Sequence, residues 1–123
     1  MRDEIFAFVL LHYNEPHVTE MSVESILNNT ENDTVEIVIV DNCSPDGSGK
    51  LLEAEYKEHS HIKVLCAQSN LGFAKGNNLG YKYARDVLKA DYICVMNNDV
   101  LLLQPDFLQR VKAEYKSSGC GII

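Results

Sequence analysis

The sequence predicts an α/β domain: a mostly parallel, Rossmann-like sheet of the doubly wound kind with helices on both faces. Two observations carry this. Short apolar runs rich in β-branched and aromatic residues alternate with longer amphipathic stretches. A parallel neighbour needs a long crossover, and a helix supplies it while covering the sheet. The runs are also continuous rather than alternating, as in strands buried on both faces. With 123 residues, 46% of them hydrophobic, the chain suits one domain over 1–123 and leaves little room for a second.

The elements follow in order. Ile5 to Leu11 and Val35 to Val40 read as the first two strands, and Ile62 to Cys66 and Tyr92 to Met96 repeat the pattern. Val18, Met21, Ile26 and Leu27 are spaced near the helical period, as are Leu51, Leu52 and Tyr56. The segment from Asn70 to Ala84 supplies a third helix, and Phe107, Leu108, Val111 and Tyr115 a fourth, with Pro105 at its first position. The expected order is β-α-β-α-β-α-β, then a short strand and a helix, with Gly119 to Ile123 opening a further strand.

Charge and cysteine usage exclude several classes. Lys plus Arg is 11 and Asp plus Glu 18, a net charge of −7, and no basic run has the density of a phosphate-backbone footprint, so nucleic acid is not an expected partner. The run from Ile5 to Leu11 is far shorter than the ~20 residues of a membrane span, and Asp3-Glu4 before it is wrong for a secretory signal. The expectation is a cytoplasmic chain, with the inner face of the membrane as an alternative location for a longer form. Cys43, Cys66, Cys94 and Cys120 form no C-x-x-C pair and read as separate reduced thiols.

In a doubly wound sheet ligands bind beyond the carboxyl ends of the strands. Those ends are His12-Tyr13-Asn14-Glu15, Asp41 to Ser48, Gln68 to Gly72 and Asn97-Asn98-Asp99, all polar. Turn chemistry accounts for much of this, and Ser44 or Asp46 can cap a helix starting near Gly47. Asp41 is not explained as a cap; at a strand terminus its carboxylate can accept from a base N–H or a ribose hydroxyl. Gly76, Gly80 and Ala84 recur every four residues, leaving a bare helix face. Each helical glycine costs ~1 kcal/mol against alanine, so the pair needs a packing or ligand reason. Lys75, a cation in a first helical turn, opposes the macrodipole by about 0.3–1 kcal/mol, and an anion such as a diphosphate removes that conflict. Asn97-Asn98-Asp99 offers hard oxygen ligands suited to Mg²⁺ or Mn²⁺, with phosphate oxygens completing the shell.

Together these segments resemble the family 2 glycosyltransferases, which have the GT-A nucleotide-diphosphosugar fold. The matching pieces are Tyr13-Asn14, Asp41 to Ser48, Asn70 to Gly80, and Asn97 to Val100 at the place of the family's D-x-D motif. The resemblance implies strand order 3-2-1-4. It places Tyr13 against the nucleotide base with Asp41 hydrogen-bonded to it, and Asn14 beside them. Asn70, Gly72, Lys75, Asn77 and Asn78 line the donor pocket near the diphosphate, Asn97 faces the ribose or diphosphate, and Asp99 holds a divalent cation, Mn²⁺ or Mg²⁺. The segment departs from the acidic form of the motif, with asparagine in place of aspartate, which removes charge from that site.

The implied reaction is inverting transfer of a sugar from a UDP-, GDP- or dTDP-type donor to a hydroxyl of a glycan, lipid-linked or protein acceptor. It needs a general base. His12, His17, His59 and His61 read as structural or solvated rather than as that base, which is expected beyond residue 123 together with the acceptor-binding half. A rival reading is a non-catalytic nucleotide-sugar module, closing its open sheet edge as a homo-oligomer. A nicotinamide-dependent Rossmann enzyme is excluded, because Leu11-His12-Tyr13-Asn14 stands where G-x-G-x-x-G belongs.

Overall fold

A computed structural model of the chain describes residues 4–30, 34–119 and 121–122. Four parallel strands, β1 (Phe6–His12), β2 (Val35–Asp41), β3 (Ile62–Cys66) and β4 (Tyr92–Asn97), lie in the order β3-β2-β1-β4. The register runs Phe6 to Val35 through His12 to Asp41 on one side of β1, and Phe6 to Tyr92 through Leu11 to Asn97 on the other. The chain progresses outward from β1 first one way and then the other, so the order reverses between β1 and β4, as the resemblance implied.

The pleat of β1 sorts its side chains between two cores. Phe6, Phe8 and Leu10 join Val23, Ile26, Leu52 and Leu108, contributed by α1 (Pro16–Asn29), α2 (Ser48–Glu55) and α4 (Phe107–Ser118). Ala7 and Val9 face the other way with Val38, Val40 and Ala84, the last from α3 (Phe73–Asp86). Three helices therefore cover one face and α3 alone covers the other. Burial on both faces explains why the β1 and β2 runs are continuous rather than alternating.

The bare face of α3 has a packing reason. A Cβ built on Gly80 would stand 2.5 Å from Cγ1 of Val9, and one on Gly76 2.6 Å from Cδ1 of Leu11. At Gly80 the neighbours are the stiff, buried Val9 and Val40, so there glycine lets the helix axis come this close to β1 and β2; at Gly76 the neighbour is the flexible end of Leu11.

The structure corrects several expectations. No short strand follows β4: residues 100–106 are irregular, and side chains of α1 hold the segment in place of a strand ladder. Ser22 Oγ donates to the Val100 carbonyl (2.6 Å), the Leu102 amide to Ser25 Oγ (2.9 Å), and Asn29 Nδ2 to the Leu102 carbonyl (2.7 Å). Pro105 does not begin α4; Asp106 is its N-cap, so the proline lies one position earlier, in the entering turn. The helix ends at Gly119, whose φ of 67° suits a left-handed cap, and Gly121 and Ile122 are irregular rather than strand. Cys120 and Ile123 lie outside the described residues. Met21 and Leu51, read as core positions, are exposed, and Thr19 and Ser22 take buried places on α1 instead. Cys43, Cys66 and Cys94 are free thiols.

Candidate functional site

The loops after β1, β2 and β4 emerge side by side at the carboxyl edge of the sheet, because those strands are neighbours there. The loop after β3 crosses toward them as it enters α3. Asn42 is the clamp for this crossing: its Oδ1 accepts from the Leu71 amide (2.7 Å) and its Nδ2 donates to the Gly72 carbonyl (3.3 Å). Asn70 Oδ1 accepts from the Gly72 amide at 2.8 Å, and Gly72 takes φ 82°, a conformation that favours glycine. The start of α3 is thereby set over the ends of β1 and β2.

The β1 and β2 loops are cross-linked. The Asn14 amide donates to Ser44 Oγ (2.9 Å), the Glu15 amide to Asp46 Oδ2 (3.0 Å), and the Asp46 amide to Asn14 Oδ1 (3.3 Å). Asn14, Glu15 and Cys43 all have φ between 55° and 60°, a left-handed conformation that costs side chains with a Cβ about 1–2 kcal/mol each. These cross-links hold the loops in that conformation. Hydrogen bonds from the Ser48 hydroxyl and amide keep the Asp46 carboxyl below the ordinary carboxylate range.

Asp41 is buried at the end of β2 and accepts from both the amide and the hydroxyl of Ser44. It is packed so tightly under α2 that a Cβ on Gly49 would overlap its carboxylate. Asp41 therefore has a local structural partner, which capping logic centred on Ser44 and Asp46 did not reveal. Tyr13 is 45% exposed on the adjacent loop, its ring open to a flat partner.

Lys75 and Asn78 are exposed on the first turns of α3, and Lys75 has no ion-pair partner among the described residues. Asn77 is buried, and its Oδ1 has no hydrogen-bond partner among the described residues. Asn97, the last residue of β4, and Asp99 in the loop after it are exposed, and Asn98 between them is half-buried. Among the described residues no three His, Cys, Asp or Glu side chains form a cluster fit to hold a metal, so Asp99 is a single carboxylate flanked by amides. Such a donor set fits Mg²⁺ or Mn²⁺ when phosphate and water oxygens make up the rest of the shell.

His12 is fully buried. Its Nδ1 lies 2.6 Å from Thr19 Oγ1 and its Nε2 2.7 Å from Ser48 Oγ. Burial pushes its pKa down, opposed by the charges of Asp41 and Asp46. It is an internal bridging group rather than a base open to a substrate. Asn42, Ser44, Asp46 and Ser48 were missed as site-building residues because their types are those of ordinary turns.

A parallel sheet whose order reverses between β1 and β4, with polar loops gathered at its carboxyl edge, defines an α/β domain of the class that binds ligands beyond its strand ends. Comparison with known proteins narrows the class. The model of glycosyl transferase family 2 matches residues 8–123, and the chain belongs to that family. It is 30% identical over 122 residues to the uncharacterized glycosyltransferase EpsJ of Bacillus subtilis (strain 168), covering 95% of this chain and 33% of that protein. Among solved structures, residues 1–349 of S. aureus TarS superpose with a TM-score of 0.70 at 22% identity, over 93% of this chain and 33% of that TarS 1–349 chain. The mannosyltransferase PcManGT of Pyrobaculum calidifontis, solved with GDP-Man and Mn²⁺, gives 0.64 at 19% identity over 84% and 30%. The chain spans about a third of the length of these relatives.

Proposed function

We propose that this chain is the donor-binding part of an inverting glycosyltransferase that takes a nucleoside-diphosphate sugar across the carboxyl ends of β1, β2 and β4. The observation that carries the reading is the convergence of Tyr13, Asn14, Asp41, Asn97 and Asp99 on one sheet edge, with the start of α3 clamped beside them by Asn42. Tyr13 stacks on the base, and Asp41 accepts from it through a lone pair not committed to Ser44. The first turns of α3 offer free backbone N–H groups and the Lys75 ammonium to the diphosphate. The buried Asn77 oxygen is an acceptor, so it suits a ribose or sugar hydroxyl better than a phosphate. Asn70, Gly72 and Asn78 shape the same wall.

Asp99, with Asn97 beside it, would hold a divalent cation whose chemistry there is to offset charge on the diphosphate leaving group. The general base for the acceptor hydroxyl is assigned to polypeptide outside these 123 residues, as is the surface for a glycan, lipid-linked or protein acceptor. Solved structures of TarS with UDP-GlcNAc and of PcManGT with GDP-Man and Mn²⁺ support the donor class. No described helix is long and apolar enough to cross a membrane, and work at the cytoplasmic side, where nucleotide sugars are available, is part of the proposal.

Calorimetry of the chain with UDP, GDP and dTDP, with and without Mn²⁺, tests the reading. Mn²⁺-dependent binding of one nucleotide, weakened at least ten-fold by Asp99→Ala, is expected. Equal weak binding by wild type and Asp99→Ala refutes the metal assignment, and no binding of any nucleotide refutes the donor site.

A further inference from the structure

We infer that His12 is a positioning residue that couples the β4 loop carrying Asp99 to the β1–β2 loop pair through a one-way chain of hydrogen bonds, buried at the imidazole and part-buried at its two ends. The inference rests on the proposed donor site for its functional consequence, and on geometry alone for the chain itself.

The direction of the chain follows from its two ends. At one end, Asp46 Oδ1 is a carboxylate oxygen and only accepts, so the Ser48 hydroxyl donates to it. With its proton committed, Ser48 Oγ accepts from His12, which places a proton on Nε2. At the other end, Asn98 Nδ2 donates to Thr19 Oγ1 at 3.0 Å. The Thr19 hydroxyl then donates to the unprotonated Nδ1 of His12. Protons therefore all point one way: Asn98 to Thr19 to His12 to Ser48 to Asp46. Each donor is polarised by the next, and such chains strengthen cooperatively in a low-dielectric interior.

The alternative polarity needs a flipped Asn98 amide and a proton on both ring nitrogens. That puts an imidazolium at a fully buried position, and desolvation opposes it. The neutral Nε2–H tautomer satisfies every member of the chain.

The chain adds a side-chain link between the β4 loop and the β1–β2 loop pair. Asp46 holds the Glu15 amide with its second oxygen and donates its own amide to Asn14, so the far end fixes the segment next to Tyr13. Asn98 is the residue before Asp99. A ligand gripped by Tyr13 at one end and by Asp99 at the other meets two loops bridged by one imidazole ring, in addition to the β1–β4 pairing and the Ser22–Val100 bond.

The test combines nitrogen-15 NMR of the wild-type chain with two variants. The His12 ring is expected to show the Nε2–H tautomer, with no imidazolium at pH 7. Ser48→Ala removes the acceptor of His12, and it is expected to shift the Asn98 and Asp99 amide resonances and to weaken Mn²⁺–nucleoside diphosphate binding about three- to ten-fold. Thr30→Val removes a buried hydroxyl at the far end of α1, bonded to the Ile26 carbonyl; it is expected to lower stability without changing affinity. A Nδ1–H tautomer or an imidazolium overturns the chain, as do Asn98 and Asp99 resonances unmoved by Ser48→Ala. If wild type binds nucleotide and Ser48→Ala binds as Thr30→Val does, the positioning role fails while the donor site stands. If wild type binds none, the donor reading fails and the NMR arm alone decides the chain.

Discussion

Alanine at Gly80 and at Gly76 separates a helix held against the sheet by close approach from one that merely carries glycines. A Cβ at Gly80 stands 2.5 Å from Cγ1 of Val9 and 2.9 Å from Cγ2 of Val40. Both valines are fully buried in the two central strands, and a β-branched side chain has little freedom about χ1. Overpacking such a site costs about 1–3 kcal/mol, and replacing a helical glycine by alanine returns ~1 kcal/mol. Taking about 2 less about 1 leaves Gly80→Ala destabilised by ~1 kcal/mol, or roughly 4 °C in Tm for a domain of this size. At Gly76 the obstacle is the far end of Leu11, a flexible and only half-buried side chain. There the helix-propensity gain prevails, and Gly76→Ala is expected to be neutral or more stable by about 0.5 kcal/mol. Urea unfolding followed by far-ultraviolet circular dichroism, with a common m-value, reads both. A Gly80→Ala chain as stable as wild type, or a larger loss at Gly76 than at Gly80, refutes the reasoning.

Stability should fall on acidification below neutrality. His12 is held neutral in the fold with a lowered pKa, so the unfolded chain takes up its proton first, and the stabilisation is full above the ordinary histidine value and lost as pH drops through and below it. Unfolding midpoints between pH 7.5 and 5 check this, and His12→Phe should remove most of the slope. Thiol labelling at pH 7 followed by peptide mapping should find the exposed Cys43 modified well before Cys94, whose thiol burial pushes up to about 11; equal rates would contradict the packing of β4. Asn98→Asp, which puts a second carboxylate beside Asp99, should raise the pH at which His12 protonates, seen in its ring resonances.

The fold was legible because its signals were energetic and local. Continuous runs such as Val35 to Val40 make sense only between two helix layers. Gly76 and Gly80 carried a cost that pointed to a neighbour, and Val9, Val40 and Leu11 are that neighbour. The segment from Val100 to Leu102 misled because its apolar, β-branched start looks like a strand, whereas α1 side chains satisfy its backbone. Asp41 stood out for lack of a capping role, and it does have a partner, Ser44, three residues on. The site's supporting bonds were illegible for a different reason. Those that tie one loop to another join residues far apart, 29 positions for Leu71 to Asn42 and 79 for Asn98 to Thr19, and nothing in the spacing of turn-forming residues encodes which of them meet.

Asn98 illustrates what that hidden layer changes. Along the chain, Asn98 is the middle residue of the Asn-Asn-Asp that stands at the place of the D-x-D motif, an uncharged neighbour of Asp99. In the fold, its amide faces the Thr19 hydroxyl, whose proton is already directed to His12. The carboxylate that Asn98→Asp introduces has nothing to donate. Thr19 would have to turn its proton outward to that carboxylate, and His12 Nδ1 would lose its donor unless it took up a second proton. The new charge would then favour the imidazolium at the position where burial most disfavours it. The amide of Asn98 is therefore matched to a neutral histidine on β1, and in the proposed site the carboxylate for a cation would be Asp99 alone. The identity of residue 98 thus answers to the hydrogen-bond direction beneath it as much as to the cation site proposed beside it.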